Sequence, residues 1–251
     1  MNLPEPTAIW HLPGHEVHVF DALESTNSHA LAMADDPRRD GLAILARSQS
    51  AGRGQYGRNW SAPVGSSVLL SVLRFPPLSL RRPVVLTAWA TVAVCETILE
   101  LTGLDATIKW PNDVLIRGKK VSGILIEQRT TGDPNHPLSA VVGIGLNVRQ
   151  NAVDFAALPA ATSLAIETGQ SLETDAVSQA LLSRLDGSDL ATLESRWRRR
   201  LGLAGQRVRA ECVAGVFKGR LVDIAFAGLV LQGEDSLEHL PPESIRHLHR
   251  E

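Results

Sequence analysis

Ser48-Gln49-Ser50-Ala51-Gly52-Arg53-Gly54-Gln55-Tyr56-Gly57-Arg58-Asn59-Trp60 is the stretch on which the reading of this chain turns. Three glycines, two arginines and a closing tryptophan stand between two apolar runs, residues 42–46 and 67–73. Glycine opens backbone conformations closed to other residues and lets amides come close to phosphate or carboxylate oxygens. Arg53 and Arg58 add fixed charge in a planar fork that suits an oxyanion. The composition also suits a solvated surface loop, because G-x-G spacings are common. The flanking runs have the pattern of strands buried on both faces, so the loop is expected to hang between two sheet strands.

Outward from the loop, residues 16–23 alternate as a short strand, and Ser25-Thr26-Asn27 offers N-cap side chains to a helix over residues 28–34. Residues 83–101 have helical spacing, with a proline at the start and Gly103 past the end, and should back the sheet. Strands are expected over residues 107–110, 114–117, 119–127 and 139–148, then helices over 172–185 and 190–200. The Arg198-Arg199-Arg200 run fits a helix C-terminal turn, where the dipole favours cations. Four strands, residues 207–213, 215–224, 229–232 and 237–240, predict a small barrel. Glycines bracketing residues 202–205 place the boundary between a domain of residues 1–201 and one of residues 202–251.

The chain has 251 residues, 44% hydrophobic and 21% charged, enough for one large core and a small one. A net charge of -2 gives no electrostatic footprint for nucleic acid. The first twenty residues carry Pro4, Pro6 and Pro13 and no apolar core, unlike a signal peptide or anchor. No run is expected to reach the roughly 18 apolar residues of a membrane span. Two distant cysteines, Cys95 and Cys212, fit a reducing cytoplasm and resemble core fillers rather than nucleophiles. His11, His15 and His18 lie on a proline-rich entry strand and read as a solvated terminus rather than a metal site.

Three further strings carry chemistry. In Lys109-Trp110-Pro111-Asn112-Asp113 the proline holds Trp110 extended and the Asn-Asp pair turns the chain, gathering polar groups at a strand end. An ordinary strand corner has the same composition. Lys120 stands at the mouth of an apolar strand, with Gly123 where a ligand could press on the backbone. Strict alternation puts these two on opposite faces, so a shared ligand requires a bulge or a backbone contact at Gly123. Gly143, Gly145 and Asn147, two apart, put two absent side chains and one amide on a single face, suited to a flat ligand or to close packing.

Taken in order, Glu24-Ser-Thr-Asn27, Gln49-Ser-Ala-Gly-Arg-Gly54 with Gly57-Arg58 and Trp60, Lys109 to Asp113, Lys120-Val-Ser-Gly-Ile-Leu-Ile-Glu127 and Gly143-Ile-Gly-Leu-Asn147 resemble the biotin protein ligases. The resemblance runs over nearly the whole chain. It implies an α+β catalytic domain, a mixed sheet backed by helices like the class II aminoacyl-tRNA synthetases, followed by an SH3-like barrel. It also implies biotin, ATP and Mg2+ as ligands, and a biotin carboxyl carrier protein as partner. Ser25, Thr26, Asn27, Gln49, Gly52, Arg53, Lys120 and Gly123 correspond to the biotin pocket. Arg53, Arg58, Trp60, Lys109, Asn112, Lys120, Asn147 and, on a looser alignment, Arg246 correspond to the ATP or adenylate subsite. Residues 151–163, with Val153, Phe155 and Leu158, correspond to an apolar loop over the adenine.

Lys120, Arg53 and Asp113 are the expected catalytic residues, with metal ligands unassigned. Two departures stand out. Gln55 replaces an arginine frequent in the family, which removes one charge. About fifteen residues precede the first expected strand, fewer than the DNA-binding module that some members carry, so a monofunctional enzyme is expected. The nearest alternative is a lipoate or octanoyl ligase or transferase, and a different class is a non-catalytic binder. Dimerisation through a sheet edge is a family expectation.

Overall fold

In the computed structural model, which describes residues 3–233 and 236–251, the chain enters as a hairpin, β1 (Ala8–Leu12) and β2 (His15–Phe20). The opening residues of the expected first domain and two within the second thus lie outside the described residues. Helix α1 (Thr26–Leu31) begins two residues earlier than expected, because Ser25 alone is the cap and its hydroxyl accepts from Ser28 N. β3 (Ala43–Ala46) lies parallel to β2, and β4 (Ser67–Arg74) returns antiparallel across the glycine loop. After helix α2 (Pro83–Thr102) come β5 (Thr107–Lys109), β6 (Asp113–Ile116), β7 (Lys119–Thr130) and β8 (Leu138–Asn147). The mixed sheet has the order β1-β2-β3-β4-β8-β7-β6-β5, so β8, the last strand made, lies between β4 and β7.

Alternation divides the sheet into two environments. Ala43, Leu45, Val68, Leu70, Val72, Val142, Ile144 and Leu146 pack under α2 in the main core. Leu42, Ile44, Ala46, Leu73 and Val141 face the other way, against Ala30, Met33 and Ala34 beyond and within α1. Further along that second face the side chains shrink to Gly143 and Gly145, leaving room for a cavity. Helices α3 (Leu164–Thr168), α4 (Thr174–Asp186) and α5 (Leu193–Leu201) follow, and α4 and α5 pack on α2. The one-turn α3 escaped the sequence reading because five residues carry no usable period.

Two sequence expectations are corrected. At 20 residues, α2 is long and apolar enough to cross a membrane by length and composition. It is the buried helix of the main core, with Val85, Val92, Val94 and Ile98 within it. His15 is no solvated terminal residue: its side chain is buried, Nδ1 lies 2.6 Å from Gly41 O, and Nε2 lies 3.1 Å from Asp186 Oδ1.

Gly202 ends α5 in the left-handed conformation, and β9 (Arg207–Cys212), β10 (Gly215–Ile224), β11 (Leu229–Gln232), β12 (Leu237–Leu240) and β13 (Ile245–Arg250) form an antiparallel sheet. Its order is β12-β11-β10-β9-β13, and no ladder joins the two outer strands among the described residues. The smaller sheet is pinned to the larger unit. Trp197 lies 6.0 Å from the Trp110 ring and 5.2 Å from Phe226, while Trp110 Nε1 donates to Ile245 O at 3.0 Å. Arg82 pairs with Glu243 at 2.7 Å, and Arg198 with Asp223 at 2.5 Å.

Candidate active site

A cavity of about 310 Å³ opens on the α1 face of the large sheet, between the glycine loop, the β5–β6 turn and the edge of the C-terminal sheet. Its floor is made by β7 and β8, where Gly123 pairs with Gly145 and Leu125 with Gly143. Absent side chains are what make it a floor. A β-carbon at Gly143 would stand 2.2 Å from Asn27 Oδ1, and one at Gly145 would stand 2.4 Å from Trp60 Cε2. The flat group on this face is thus the protein's own indole, whose Nε1 is buried without a partner among the described residues.

The inner end is polar and ordered by its own hydrogen bonds. Gln49 Oε1 accepts from Thr26 N at 2.8 Å and Thr26 Oγ1 at 3.1 Å, which fixes which end of the amide faces α1. Ser71 Oγ lies 2.6 Å from Asn27 Oδ1 and 2.7 Å from Thr26 Oγ1. Asn27 Nδ2 donates to Glu127 at 2.8 Å. Ser25, Thr26 and Asn27 are all buried at the start of α1, where an N-cap and first-turn side chains naturally converge. Such a set of oriented amide and hydroxyl groups matches a small ligand that carries both donors and acceptors.

At the other end stand the charges. Lys120 Nζ lies 2.5 Å from Asp113 Oδ1 and 5.6 Å from the Trp60 ring centre. The β6–β7 ladder slips between Val114 and Leu115, so that Leu115 faces Lys120 while Val114 faces Ser122. Val121 is therefore an extra residue, a β-bulge. The bulge brings Lys120 and Gly123 to one side: a β-carbon at Gly123 would lie 3.1 Å from Lys120 Nζ. This is the irregularity that the sequence required if the two were to share a ligand.

The glycine loop folds over the cavity as a narrow hairpin in which Arg53 bridges to Asn59. Arg53 Nη2 reaches Glu127 at 2.7 Å, and Arg58 and Lys109 also line the cavity. Gly52 is not itself in the lining; its carbonyl accepts from Trp60 N at 2.9 Å, and a β-carbon there would meet Trp60 O at 2.3 Å. It sets the loop's waist. Asn112 does line the cavity, but its Nδ2 is spent on Ile124 O at 2.6 Å.

Asn147 and Arg246 are not brought to the cavity wall. Asn147 is buried with Nδ2 on Thr162 O at 3.0 Å and Oδ1 taken by Gln150 Nε2 at 3.1 Å, so its amide fastens the following loop. Arg246 sits at a register shift in β13 and is exposed, while its neighbours His247 and His249 line the cavity. The segment 151–163 leaves Val153 and Leu158 exposed and is tied at its end to Lys120, whose N donates to Ala160 O at 2.7 Å and whose O accepts from Thr162 N at 2.8 Å.

Glu127, Ser71, Tyr56, His247 and His249 were not singled out from the sequence. Glu127 had a signal, since it continues the every-second-residue face of Gly123 and Leu125; the histidines belong to a strand the sequence reading left out. Burial pushes the Cys95 thiol up to about 12 and raises Cys212, so neither is a thiolate at neutral pH.

The Biotin/lipoate A/B protein ligase family model matches residues 19–147, which hold α1, the glycine loop, Lys120 and the glycine floor. The chain belongs to this family. Among its relatives, the Bifunctional ligase/repressor BirA of Bacillus subtilis is 33% identical over 227 residues, covering 87% of this chain and 69% of that protein. Biotin--[acetyl-CoA-carboxylase] ligase of Paracoccus denitrificans is 32% identical over 239 residues, covering 88% of this chain and 96% of that protein. The biotin protein ligase of Aquifex aeolicus, solved in complex with biotin and ATP, superposes with a TM-score of 0.77 at 24% identity, over 94% of this chain and 99% of that one. The family fold therefore extends through the C-terminal sheet as well as the matched segment.

Proposed function

We propose that this member of the family activates biotin with ATP as biotinyl-5'-AMP and transfers the biotinyl group to a lysine of a biotin carboxyl carrier protein in the cytoplasm. Biotin ligation in general follows from the family and from the names of its relatives. The observation that carries the finer reading is the shared side of Lys120 and Gly123, which sets a cation against a glycine floor whose inner end holds oriented amide and hydroxyl groups. In this reading Ser25, Thr26, Asn27 and Gln49 take the ureido ring, and Arg53, Arg58, Lys109 and Lys120 face the carboxylate and the nucleotide phosphates. Residues 1–201 form the catalytic domain, and residues 202–251 an SH3-like barrel.

A carboxylate attacking an α-phosphate brings two anions together, at a cost of about 4 kcal/mol for a ~4 Å separation and an effective dielectric near 20. Lys120 and Arg53 offset that repulsion where it develops. Among the described residues no group of three or more His, Cys, Asp or Glu could cage a metal. Mg2+ would enter with ATP and neutralise charge on its phosphates. In the second step the acceptor amine, protonated in water, has to lose a proton. Asp113 is the nearest base once an anionic ligand has drawn Lys120 away from it, and Trp60 with the glycine loop shields the mixed anhydride from water.

Incubation with biotin, Mg-ATP and a carrier domain, followed by intact mass measurement of the carrier, tests the overall reaction. A biotinyl mass increment is expected, and an increment only with lipoate would transfer the reading to the lipoate or octanoyl relatives. Asp113→Asn should leave biotin-dependent ATP–pyrophosphate exchange within about threefold of the parent while slowing transfer about a hundredfold, a typical general-base contribution. Equal loss in both steps would remove Asp113 from the role of base.

A further inference from the structure

Glu127 is not itself in the cavity lining but bonds two residues that are, Asn27 and Arg53, and belongs to none of the roles above. It lies on β7 two residues beyond Leu125, on the same face, next to the place where Gly143 admits Asn27. Its Oε2 accepts two hydrogen bonds from opposite sides, from Asn27 Nδ2 at 2.8 Å on α1 and from Arg53 Nη2 at 2.7 Å on the glycine loop. Because Ser71 occupies the oxygen end of the Asn27 amide, the nitrogen end points to Glu127. Arg53, in turn, pairs its charge with Glu127 at 2.7 Å.

We propose that Glu127 is a positioning residue for the biotin step: it fixes the Asn27 amide, and it is the resting counter-ion of Arg53, holding the glycine loop down until an anionic ligand competes for the guanidinium. The inference rests on the biotin reading for its first half only. A carboxylate suits both halves, since one oxygen can accept from two donors and its charge strengthens each bond. Ordering Asn27 in advance lowers the cost of fixing it when the ligand binds.

Glu127→Gln keeps the size of the side chain and removes the charge. Cleavage by trypsin after Arg58 in the ligand-free protein is expected to rise about tenfold, and KM for biotin in pyrophosphate exchange about tenfold, with kcat changed less than about twofold, as for loss of one charge-assisted hydrogen bond. Arg53→Gln breaks the pair from the loop side and should raise cleavage after Arg58 equally; adding Glu127→Gln to it should raise cleavage no further. Should Glu127→Gln fail to fold, as judged by thermal unfolding, the Arg53→Gln cleavage rate decides. Unchanged cleavage in both variants overturns the counter-ion role, and an unchanged KM for biotin overturns the positioning of Asn27. A parent protein without biotin-dependent exchange sinks the biotin reading, and the cleavage comparison still judges the Arg53 pair because no ligand is present in it.

Discussion

At Gly143 and Gly145, on the cavity floor, an added β-carbon would stand 2.2 Å from Asn27 Oδ1 and 2.4 Å from Trp60 Cε2; at Gly57, in the loop above, nothing lies within 4 Å and φ is +72°. The floor glycines adopt ordinary strand backbone and are needed for the space they leave. Gly57 is needed for its backbone angle, beside Tyr56, which takes φ of 57° without being glycine. The floor is thus a rigid template whose errors are steric, whereas the loop is a cover whose errors change how often it is closed. Substitutions at the two places should consequently fail in different observables.

The largest effect is expected from Gly143→Val. The new side chain would displace Asn27 from Ser71 and Glu127 together, so one buried and one part-buried hydrogen bond are lost along with the free volume. At about 1–1.5 kcal/mol each, that predicts biotin binding weakened about 30- to 150-fold by calorimetric titration. Affinity within threefold of the parent would mean that Asn27 is not held by the glycine floor.

Gly145→Ala should be milder, because its neighbour is an indole that can shift rather than an amide bonded on two sides. Trp60 also leans on Gly123, 3.0 Å from a β-carbon placed there, so the ring can tilt but not slide freely. A loss of about tenfold in biotin-dependent pyrophosphate exchange is expected, in line with about 1–2 kcal/mol for modest overpacking. Exchange at the parent rate would show that the indole is not part of the working surface.

Much of this contrast was open to reading in the residues alone. The loop between two doubly buried strands, the Lys109–Asp113 turn and the α2 helix with Gly103 at its end all emerge where the local pattern placed them, since period and punctuation agree there. Elements missed were those whose local signals conflict. β1 follows Pro4 and Pro6 and is an edge strand exposed along much of its length, so it lacks a buried alternation. β13, Ile-Arg-His-Leu-His-Arg, is mostly polar and earns its place through pairing with β9. The burial of His15 depends on Gly41 and Asp186, residues far away in sequence, as the role of Glu127 depends on Asn27 and Arg53. Local pattern locates ligand-facing backbone, but partners across a fold become visible only when the sheet order brings them together. The Lys120 bulge lies between these cases: alternation stated the need for an irregularity, and the ladder supplied it.

The smallest effect is expected at Gly57→Ala. With open space around the position, the methyl group clashes with nothing, and the whole penalty is that of placing an L-residue at φ of +72°. That penalty is about 1 kcal/mol, or about fivefold in the closed population of the loop. It should not reach the global stability, because the loop can open while the two cores stay intact. Trypsin cleavage after Arg58 in ligand-free protein should therefore rise about fivefold while the melting temperature moves by no more than about 2 °C. A larger fall in melting temperature with unchanged cleavage would show that the loop unfolds only with the sheet, and the distinction between rigid floor and opening cover would have to be abandoned.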